Sequence, residues 1–313
     1  MTAAPTRLGT RASLLATTQS GLVADAVRAA TGREVELVPI TTAGDVLTGP
    51  LAQLGGTGVF VAALREALLR GECDLVVHSM KDLPTGAVEG LKIGAVPPRA
   101  PIGDVLCSRD GQTLAQMPHG AVVGSGSPRR VAQLLRARPD LDVRGIRGNV
   151  DTRLRKVDDG EYDAIVLAAA GLTRIGRVDR IVETFDSEAW PTSAGQGALA
   201  VEVRTDDPFA DELAVLSDAD AEITALLERA VLRGLEAGCA APVGITARVS
   251  GDVVALLAEV YALDGTDAVR VEQTFARGTV ADDTGRQDAA AQVVTALLDG
   301  GAASLADLAG SSR

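Results

Sequence analysis

A short apolar run that passes directly into polar residues constrains the fold more than any other feature of this sequence. It reads Leu75-Val-Val-His-Ser-Met-Lys-Asp-Leu-Pro84. The pattern is typical of a buried parallel strand whose last residues face a ligand, since ligands bind at the carboxyl ends of strands in open α/β sheets. Lys81 and Asp82 are neighbours, so only a bend after the strand lets both side chains address one ligand. The alternative is an ordinary strand end with a solvated ion pair.

Predicted strands and helices alternate on both sides of this run. A strand and turn at 7–13 lead into a helix that ends at Thr31-Gly32, and a second series, which begins near residue 103, includes a buried strand at 162–170. This alternation predicts an α/β fold with parallel strand pairing. A strand at 198–203 is predicted to return to the first sheet, which would join two lobes by two crossing segments around a hinged cleft.

The carboxyl-terminal third of the chain predicts a different arrangement. Alternating segments near 243–249, 253–261 and 268–275 predict a small antiparallel sheet, and the segment 289–298 predicts a covering helix. A further helix is predicted to begin at Ser217, which stands at capping-box spacing from an aspartate. We therefore predict two α/β lobes and a smaller α+β domain. The predicted domains comprise residues 1–98 with 198–216, residues 103–193, and residues 217–313.

Charge argues against one class of partner and in favour of another. The 313 residues carry a net charge of −12, which disfavours general binding to nucleic acid, because a surface that follows phosphates needs a basic footprint. Residues 121–180 nevertheless contain twelve Arg or Lys against eight Asp or Glu. A positive segment within an acidic chain indicates a small polyanionic ligand.

Cysteine, histidine and apolar content exclude several other classes of protein. Cys73, Cys107 and Cys239 are widely spaced, which argues against a disulfide framework, and the first two lie on apolar patterns typical of structural thiols. His78 and His119 alone leave little material for a zinc site or a Ser-His-Asp triad, so no metal is predicted. No apolar stretch approaches the roughly 18 residues that a membrane span needs, and the first residues lack a basic segment followed by an apolar run. These features predict a cytoplasmic protein with no membrane partner.

Two glycine-containing turns predict anion binding. The turn Gly124-Ser-Gly-Ser127 precedes Pro128, an expected first helical residue, and the amides at such a helix start favour an anion. Arg129 and Arg130 add donors there. The turn is not a Walker loop, because the Gly-Lys-Ser/Thr ending is absent. The segment 147–153 predicts a second such turn, followed by an aspartate-capped helix with arginines on both sides.

Six motifs, in this order along the chain, resemble one known family. They are Gly-Thr-Arg-Ala-Ser (9–13), His-Ser-Met-Lys-Asp-Leu-Pro (78–84), Gly-Ser-Gly-Ser-Pro-Arg-Arg (124–130), Arg-Gly-Asn-Val-Asp-Thr-Arg-Leu (147–154), Gly-Gln-Gly-Ala (195–198) and Glu-Ala-Gly-Cys-Ala-Ala-Pro-Val-Gly (236–244). Together they resemble the porphobilinogen deaminase, or hydroxymethylbilane synthase, family over nearly the whole chain. The resemblance is weakest after the last of these motifs.

The resemblance implies a fold, an activity and a cofactor. It implies two hinged lobes similar to periplasmic binding proteins, followed by the smaller α+β domain. Members of the family condense four molecules of porphobilinogen head to tail, lose ammonia each time, and release the linear tetrapyrrole hydroxymethylbilane. A dipyrromethane cofactor, held by a thioether to Cys239, is therefore implied. Porphobilinogen is implied as the substrate, and a monomer as the state of assembly.

The resemblance also implies residue roles that make physical sense. Asp82 is implied as the catalytic residue, since an anion fixed in a dry site stabilises developing positive charge. A thiol on a loop beyond a helix end suits Cys239 as the covalent anchor. Each pyrrole unit carries an acetate and a propionate, which guanidinium groups bind bidentately. Cofactor binding is implied for Asp82, Lys81, Ser79, Ser125, Ser127, Arg129 and Arg130. Substrate binding is implied for Arg11, Ser13, Arg147, Arg153 and Arg174.

The sequence departs from the family at three places. Thr57 stands where many relatives carry lysine, Gly126 replaces a common hydroxyl residue, and the segment 100–104 replaces an Asp-Pro-Arg-Asp run. None of these changes removes Asp82 or Cys239. Two alternatives are a two-lobed small-anion-binding protein without catalysis, which would not need that thiol and carboxylate, and a thiol hydrolase, which would need a histidine partner.

Overall fold

The computed structural model describes residues 4–41, 58–237 and 241–308, with the backbone alone at 58–60. Cys239 and Thr57 therefore lie outside the described residues. The chain divides into two compact units, residues 1–99 with 198–222 and residues 100–197 with 223–313. The three-domain division drawn from the sequence stays a prediction. Within the described ranges, no helix is long and apolar enough to cross a membrane.

The described strands and helices follow the order that the sequence predicts. The strands are β1 (Thr6–Thr10), β2 (Val35–Pro39), β3 (Leu75–Ser79), β4 (Leu91–Ala95), β5 (Asp104–Ser108), β6 (Val122–Gly124), β7 (Asp142–Arg144), β8 (Ala164–Ala168), β9 (Glu183–Thr184), β10 (Leu199–Arg204), β11 (Val243–Ser250), β12 (Val253–Tyr261) and β13 (Ala268–Ala276). The helices are α1 (Leu14–Thr31), α2 (Gly58–Leu69), α3 (Pro128–Ala137), α4 (Val150–Asp158), α5 (Ala169–Arg174), α6 (Phe209–Leu213), α7 (Ala219–Gly234) and α8 (Asp283–Asp299).

The sheet of the first unit has the strand order β2-β1-β3-β10-β4. Strand β1 is parallel to both β2 and β3, whereas β10 is antiparallel to both β3 and β4. The strand predicted at 198–203 therefore returns to the first sheet. The predicted parallel pairing is present between β1 and its two neighbours, whereas β10 is antiparallel, because only strands joined by a helical crossover are constrained to run parallel and β10 arrives from a different part of the chain.

The sheet of the second unit repeats this pattern, with the order β7-β6-β8-β5-β9. Strand β6 is parallel to β7 and β8, and β5 is antiparallel to β8 and β9. A third sheet, the antiparallel meander β11-β12-β13, packs α7 and α8 against a core of Val, Leu, Ile and Ala side chains. Two α/β sheets and one smaller α+β layer confirm the fold class expected from the sequence.

Three local predictions were wrong, each for a chemical reason. The run 162–170 is not one strand, since α5 begins at Ala169, and alanine suits a helix as well as a buried strand. The helix at 150 is capped by Asn149, whose side chain accepts a hydrogen bond from Thr152 N at 2.9 Å, and not by an aspartate. Helix α7 is capped by Asp218, whose side chain accepts a hydrogen bond from Ala221 N at 2.8 Å. The Ser217 hydroxyl does not cap it, because it accepts from Val96 N, one residue after β4, at 3.0 Å.

Candidate active site

The predicted bend after β3 is present. Strand β3 is buried up to His78, and Met80–Asp82 then form a single 3-10 turn. Its entry is fixed by a hydrogen bond from Met80 N to Ala198 O at 3.0 Å, and its exit by one from Leu83 N to Met80 O at 3.1 Å. The turn takes Lys81 and Asp82 out of the strand's strict alternation, which the sequence argument required.

Asp82 is a half-buried carboxylate without an internal partner. Its side chain makes no hydrogen bond and no ion pair with any residue in the described part of the chain. An ionised group in such surroundings is normally paired, because partial burial removes hydration that an opposite charge or donor must replace. Asp82 is therefore available to a ligand.

Ser79 and Ser13 have defined internal roles in the same unit. Ser79 Oγ accepts a hydrogen bond from Gln19 Nε2 at 2.9 Å, and Gln19 is 5% exposed on α1. Ser13 caps α1, with its hydroxyl oxygen accepting from Ala16 N at 3.4 Å. Sequence reasoning missed Gln19, although a glutamine on the apolar face of a helix is a usable signal, because buried amides need partners.

Arg11 lies at the same sheet edge as the turn that bears Asp82. Strand β1 is parallel to β3 in the register Leu8 opposite Leu75 and Gly9 opposite Val76. Two parallel strands present their carboxyl ends at one edge, and Arg11 directly follows β1. The structure thus brings this arginine and the β3 turn to a common edge.

His78 is tied to a buried ion pair and is not a free base. Its Nε2 lies 3.2 Å from Glu202 Oε2, and Glu202 Oε1 also accepts from Arg65 Nη2 at 2.8 Å. Burial opposes the ionisation of Glu202, but the hydrogen bonds from His78 and Arg65 outweigh it and lower the pKa of that carboxyl. Both His78 and Glu202 are almost inaccessible to solvent. This supports a structural role for His78 over a partnership with a catalytic thiol.

The serine turn of the second unit is closed by its own hydroxyl groups. Ser125 Oγ accepts from Ser127 N at 3.2 Å, and Ser127 caps α3 by accepting from Arg130 N at 3.5 Å. Gly126 stands between them because a Cβ there would lie 2.9 Å from Ile146 O. The departure from the family's hydroxyl residue at 126 thus has a steric cause in this chain.

Arg129 and Arg130 are both buried and both bind Asp104. Arg129 is 2% exposed and its Nη1 donates to Asp104 Oδ2 at 2.8 Å, whereas Arg130 is 7% exposed and its Nη2 donates to Oδ1 at 2.6 Å. Burial lowers the pKa of Arg129 despite this contact. Burial also opposes ionisation of Asp104, but the charges of Arg129 and Arg130 outweigh it and hold the pKa of that carboxyl far below its ordinary value. Two cations and one anion leave a net positive charge in a nearly dry site.

The two guanidiniums keep unused donors. The Nε atoms of Arg129 and Arg130 are buried and have no hydrogen-bond partner among the described residues. A buried N–H without an acceptor costs about 1–3 kcal/mol, so both arginines carry an unmet hydrogen-bonding demand. A carboxylate is the acceptor that suits two guanidiniums with an excess positive charge.

The remaining arginines of the second unit differ in their surroundings. Arg174 Nη2 donates to Gly197 O at 2.6 Å, and burial lowers the pKa of Arg174 to about 10. No carboxylate pairs with Arg174 or with the exposed Arg147 in the described part of the chain. Arg153 Nε donates to Gly148 O at 2.8 Å beside the second glycine turn. Arg174 and Arg147 are thus cations for which the described ranges supply no counter-ion.

The site residues therefore fall into two groups. The first unit contains Arg11, Ser13, Ser79, Lys81 and Asp82. The second contains Ser125, Ser127, Arg129, Arg130, Arg147, Arg153 and Arg174. Cys239 lies outside the described residues, so its role stays a prediction. Sequence reasoning missed Asp104, whose signal is a lone aspartate at the start of a strand that is otherwise apolar up to Ser108.

The part of the chain that the structure describes contains no competing thiol or metal centre. Cys73 and Cys107 are buried free thiols, and burial raises the pKa of each to about 11. They are mostly protonated at neutral pH and therefore poor nucleophiles. Within the ranges described, no group of three His, Cys, Asp or Glu side chains is placed to hold a metal ion.

Comparison with protein families gives two matches that together span most of the chain. Residues 6–212 match the model of "Porphobilinogen deaminase, dipyromethane cofactor binding domain". Residues 222–293 match the model of "Porphobilinogen deaminase, C-terminal domain". The first segment ends within α6 and the second begins within α7, and together they include the strands of all three sheets.

Individual relatives agree with the family models. A porphobilinogen deaminase of Leifsonia xyli is 51% identical over 312 residues, which cover 97% of this chain and 95% of that protein. One from Thermobifida fusca is 54% identical over 88% of this chain and 87% of its own. A third, from Cutibacterium acnes, is 50% identical over 98% of this chain and 99% of its own. Identity at this level over whole chains indicates common descent.

Solved structures resemble the chain only distantly. A periplasmic binding protein of Salmonella typhimurium with high arginine specificity covers 68% of this chain at 14% identity and a TM-score of 0.41, with 92% of its own length covered. The fold class rests on the strand orders described above.

Proposed function

We propose that this chain, which belongs to the porphobilinogen deaminase family, joins four molecules of porphobilinogen head to tail into the linear tetrapyrrole hydroxymethylbilane. Each condensation releases one ammonia, and water releases the product. The observation that carries the proposal is the match to named deaminases over 97% or more of the chain. The paired and unpaired charges of the site support it, because every porphobilinogen brings two carboxylates.

The dipyrromethane cofactor of the family fits the residues of the second unit. Its rings bear carboxylates, and the pair Arg129 and Arg130 offers a net positive charge with two buried N–H donors that lack acceptors. We assign cofactor binding to these arginines and to Ser79, Lys81 and Asp82, with Ser125 and Ser127 shaping the turn that precedes α3. Cys239 is the proposed covalent anchor through a thioether. When bound, the cofactor supplies the primer to which the substrate units are added.

Asp82 is the proposed catalytic residue. As ammonia leaves the aminomethyl carbon of porphobilinogen, positive charge develops on the pyrrole, and a fixed carboxylate lowers the energy of that charge. The same oxygen atoms can accept hydrogen bonds from pyrrole N–H groups. The absence of any partner for Asp82 within the described residues supports this role, because no internal cation competes for it.

Substrate carboxylates are the proposed ligands of five residues: Arg11, Ser13, Arg147, Arg153 and Arg174. Arg174 suits this role best, since burial lowers its pKa to about 10 and, among the described residues, only a carbonyl oxygen accepts from it. A desolvated guanidinium gains more from a carboxylate than a solvated one does. Ser13 Oγ accepts from Ala16 N when it caps α1, which leaves its O–H to donate to a substrate carboxylate.

We propose that the enzyme works as a monomer in the cytoplasm, without nucleic acid or a membrane as partner. Buried free thiols at Cys73 and Cys107 suit a reducing compartment. The net charge of −12 disfavours binding to nucleic acid.

The test is to incubate the purified chain with porphobilinogen and to measure substrate consumption, ammonia and product mass together. One ammonia for each porphobilinogen consumed, with a linear tetrapyrrole as the product, is expected. Binding of porphobilinogen without release of ammonia would instead favour the noncatalytic anion-binding protein.

A further inference from the structure

We propose that Asp104 is a positioning residue for the reaction, which holds Arg129 and Arg130 together as one carboxylate-binding unit and sets that unit's net charge to plus one. The inference rests on the proposed function and deepens it, because the ligand of the unit would be a pyrrole carboxylate. Asp104 is the first residue of β5 and is fully buried.

Four side chains converge on the two oxygens of Asp104. Oδ2 accepts from Arg129 Nη1 at 2.8 Å and from Trp190 Nε1 at 3.2 Å. Oδ1 accepts from Arg130 Nη2 at 2.6 Å and from Gln196 Nε2 at 2.8 Å. An ionised carboxylate offers about four lone-pair sites, so these four donors saturate it. Asp104 therefore acts through its neighbours and not by touching a ligand.

Arg129 and Arg130 need such an acceptor to work as a pair. They are consecutive residues in the first turn of α3, and consecutive residues on a helix do not face each other. Two guanidiniums in a dry site also repel each other. Asp104 overcomes both effects, because each of its oxygens takes one guanidinium, and each arginine keeps its Nε without a partner in the described part of the chain.

The other acceptors of the pair hold the guanidiniums but add no charge. Arg129 Nη1 also donates to Gln133 Oε1 at 2.7 Å and to Pro191 O at 3.0 Å, and Arg130 Nη1 donates to Val166 O at 3.0 Å. Among the residues that the structure describes, Asp104 is thus the one anion that accepts a hydrogen bond from either arginine. Without the Asp104 carboxylate, the charges of both guanidinium groups would be uncompensated, and no common acceptor would fix their positions relative to each other.

The experiment compares Asp104→Asn with wild type and with Asp142→Asn. Asp142 is an aspartate of the same unit that pairs with Arg144 on the surface, so it controls for loss of a charge pair. Each protein is checked for folding by thermal melting and near-ultraviolet circular dichroism. Intact mass then gives the fraction of chains that carry the cofactor, and steady-state kinetics give KM and kcat for porphobilinogen on the loaded chains.

For folded Asp104→Asn we expect a smaller loaded fraction and a KM raised by about tenfold or more, because the two guanidiniums lose the charged acceptor that holds them as one carboxylate-binding pair. We expect kcat to fall less than KM rises, and Asp142→Asn to match wild type. A folded Asp104→Asn with the wild-type loaded fraction and KM would overturn the proposal. A wild-type chain that never carries the cofactor and never releases ammonia would overturn the proposed function instead.

If Asp104→Asn does not fold, Trp190→Phe decides the question. It removes the N–H that Trp190 donates to Asp104 together with the five-membered ring of the indole, and it keeps a six-membered aromatic ring to stack on Phe185, whose centroid lies 4.4 Å away. A KM raised severalfold in the folded variant supports the positioning role. A lower melting temperature with an unchanged KM would show that the cluster serves stability alone and would overturn the proposal.

Discussion

Replacing Asp82 by Asn should remove most of the catalysis and almost none of the stability. Asn has nearly the same volume and can still accept a hydrogen bond, but it carries no charge. Since Asp82 has no hydrogen bond or ion pair in the described part of the chain, no internal interaction is lost. We therefore expect the melting temperature to stay within about 1–2 °C of wild type, as for a surface substitution.

The size of the catalytic loss follows from the half-buried position of Asp82. A carboxylate about 4 Å from the positive charge that develops on the pyrrole stabilises that charge by about 4 kcal/mol, at the effective dielectric constant of about 20 that suits such sites. Each 1.36 kcal/mol is tenfold in rate, so kcat/KM should fall by about a thousandfold.

The assay measures ammonia release at several porphobilinogen concentrations, for chains of which intact mass has established the loaded fraction. Asp142→Asn is the matched control, because it removes a surface carboxylate of similar size. A kcat/KM within tenfold of wild type would refute the electrostatic role of Asp82. A large fall in melting temperature that parallels the loss of activity would refute the view that its carboxylate is unpaired.

Three further predictions concern thiols and backbone geometry. Burial raises the pKa of Cys73 and Cys107 to about 11, so both thiols stay protonated below that pH. At pH 8, iodoacetamide should therefore label them at least about a hundredfold more slowly than an exposed cysteine of pKa about 8.5. Equal labelling rates, measured by peptide mass, would contradict this prediction. Glu236 has a φ of 51°, so Glu236→Gly should raise the unfolding free energy by about 1 kcal/mol relative to Glu236→Ala, and equal urea midpoints would refute the strain. Gly126→Ser should lower the unfolding free energy by about 1–3 kcal/mol, because the Cβ of the new serine would lie 2.9 Å from Ile146 O. A gain in stability would contradict this prediction and would mean that the turn relaxes to accept the side chain.

Periodicity and turn chemistry predicted the elements that carry the site. The apolar run before His78 became β3, the bend became the 3-10 turn at Met80–Asp82, and Ser127 caps α3 as its sequence position indicates. These features are local, since each depends on residues a few positions apart in the chain. That is why a single sequence is enough to place them.

Partners that are distant in the chain could not be predicted in this way. Asp104 meets Arg129 across 25 positions and Gln196 across 92, and His78 meets Glu202 across 124. No periodicity encodes such pairs, because they follow from which strands become neighbours in a sheet. The antiparallel placement of β10 and β5 was missed for the same reason.

The most direct test of the account is the intact mass of the purified, fully denatured chain, followed by peptide mapping. The account predicts an added mass of two linked pyrrole units, located on the peptide that contains Cys239. An adduct on another peptide, or a bare chain that gains no adduct after incubation with porphobilinogen, would contradict it.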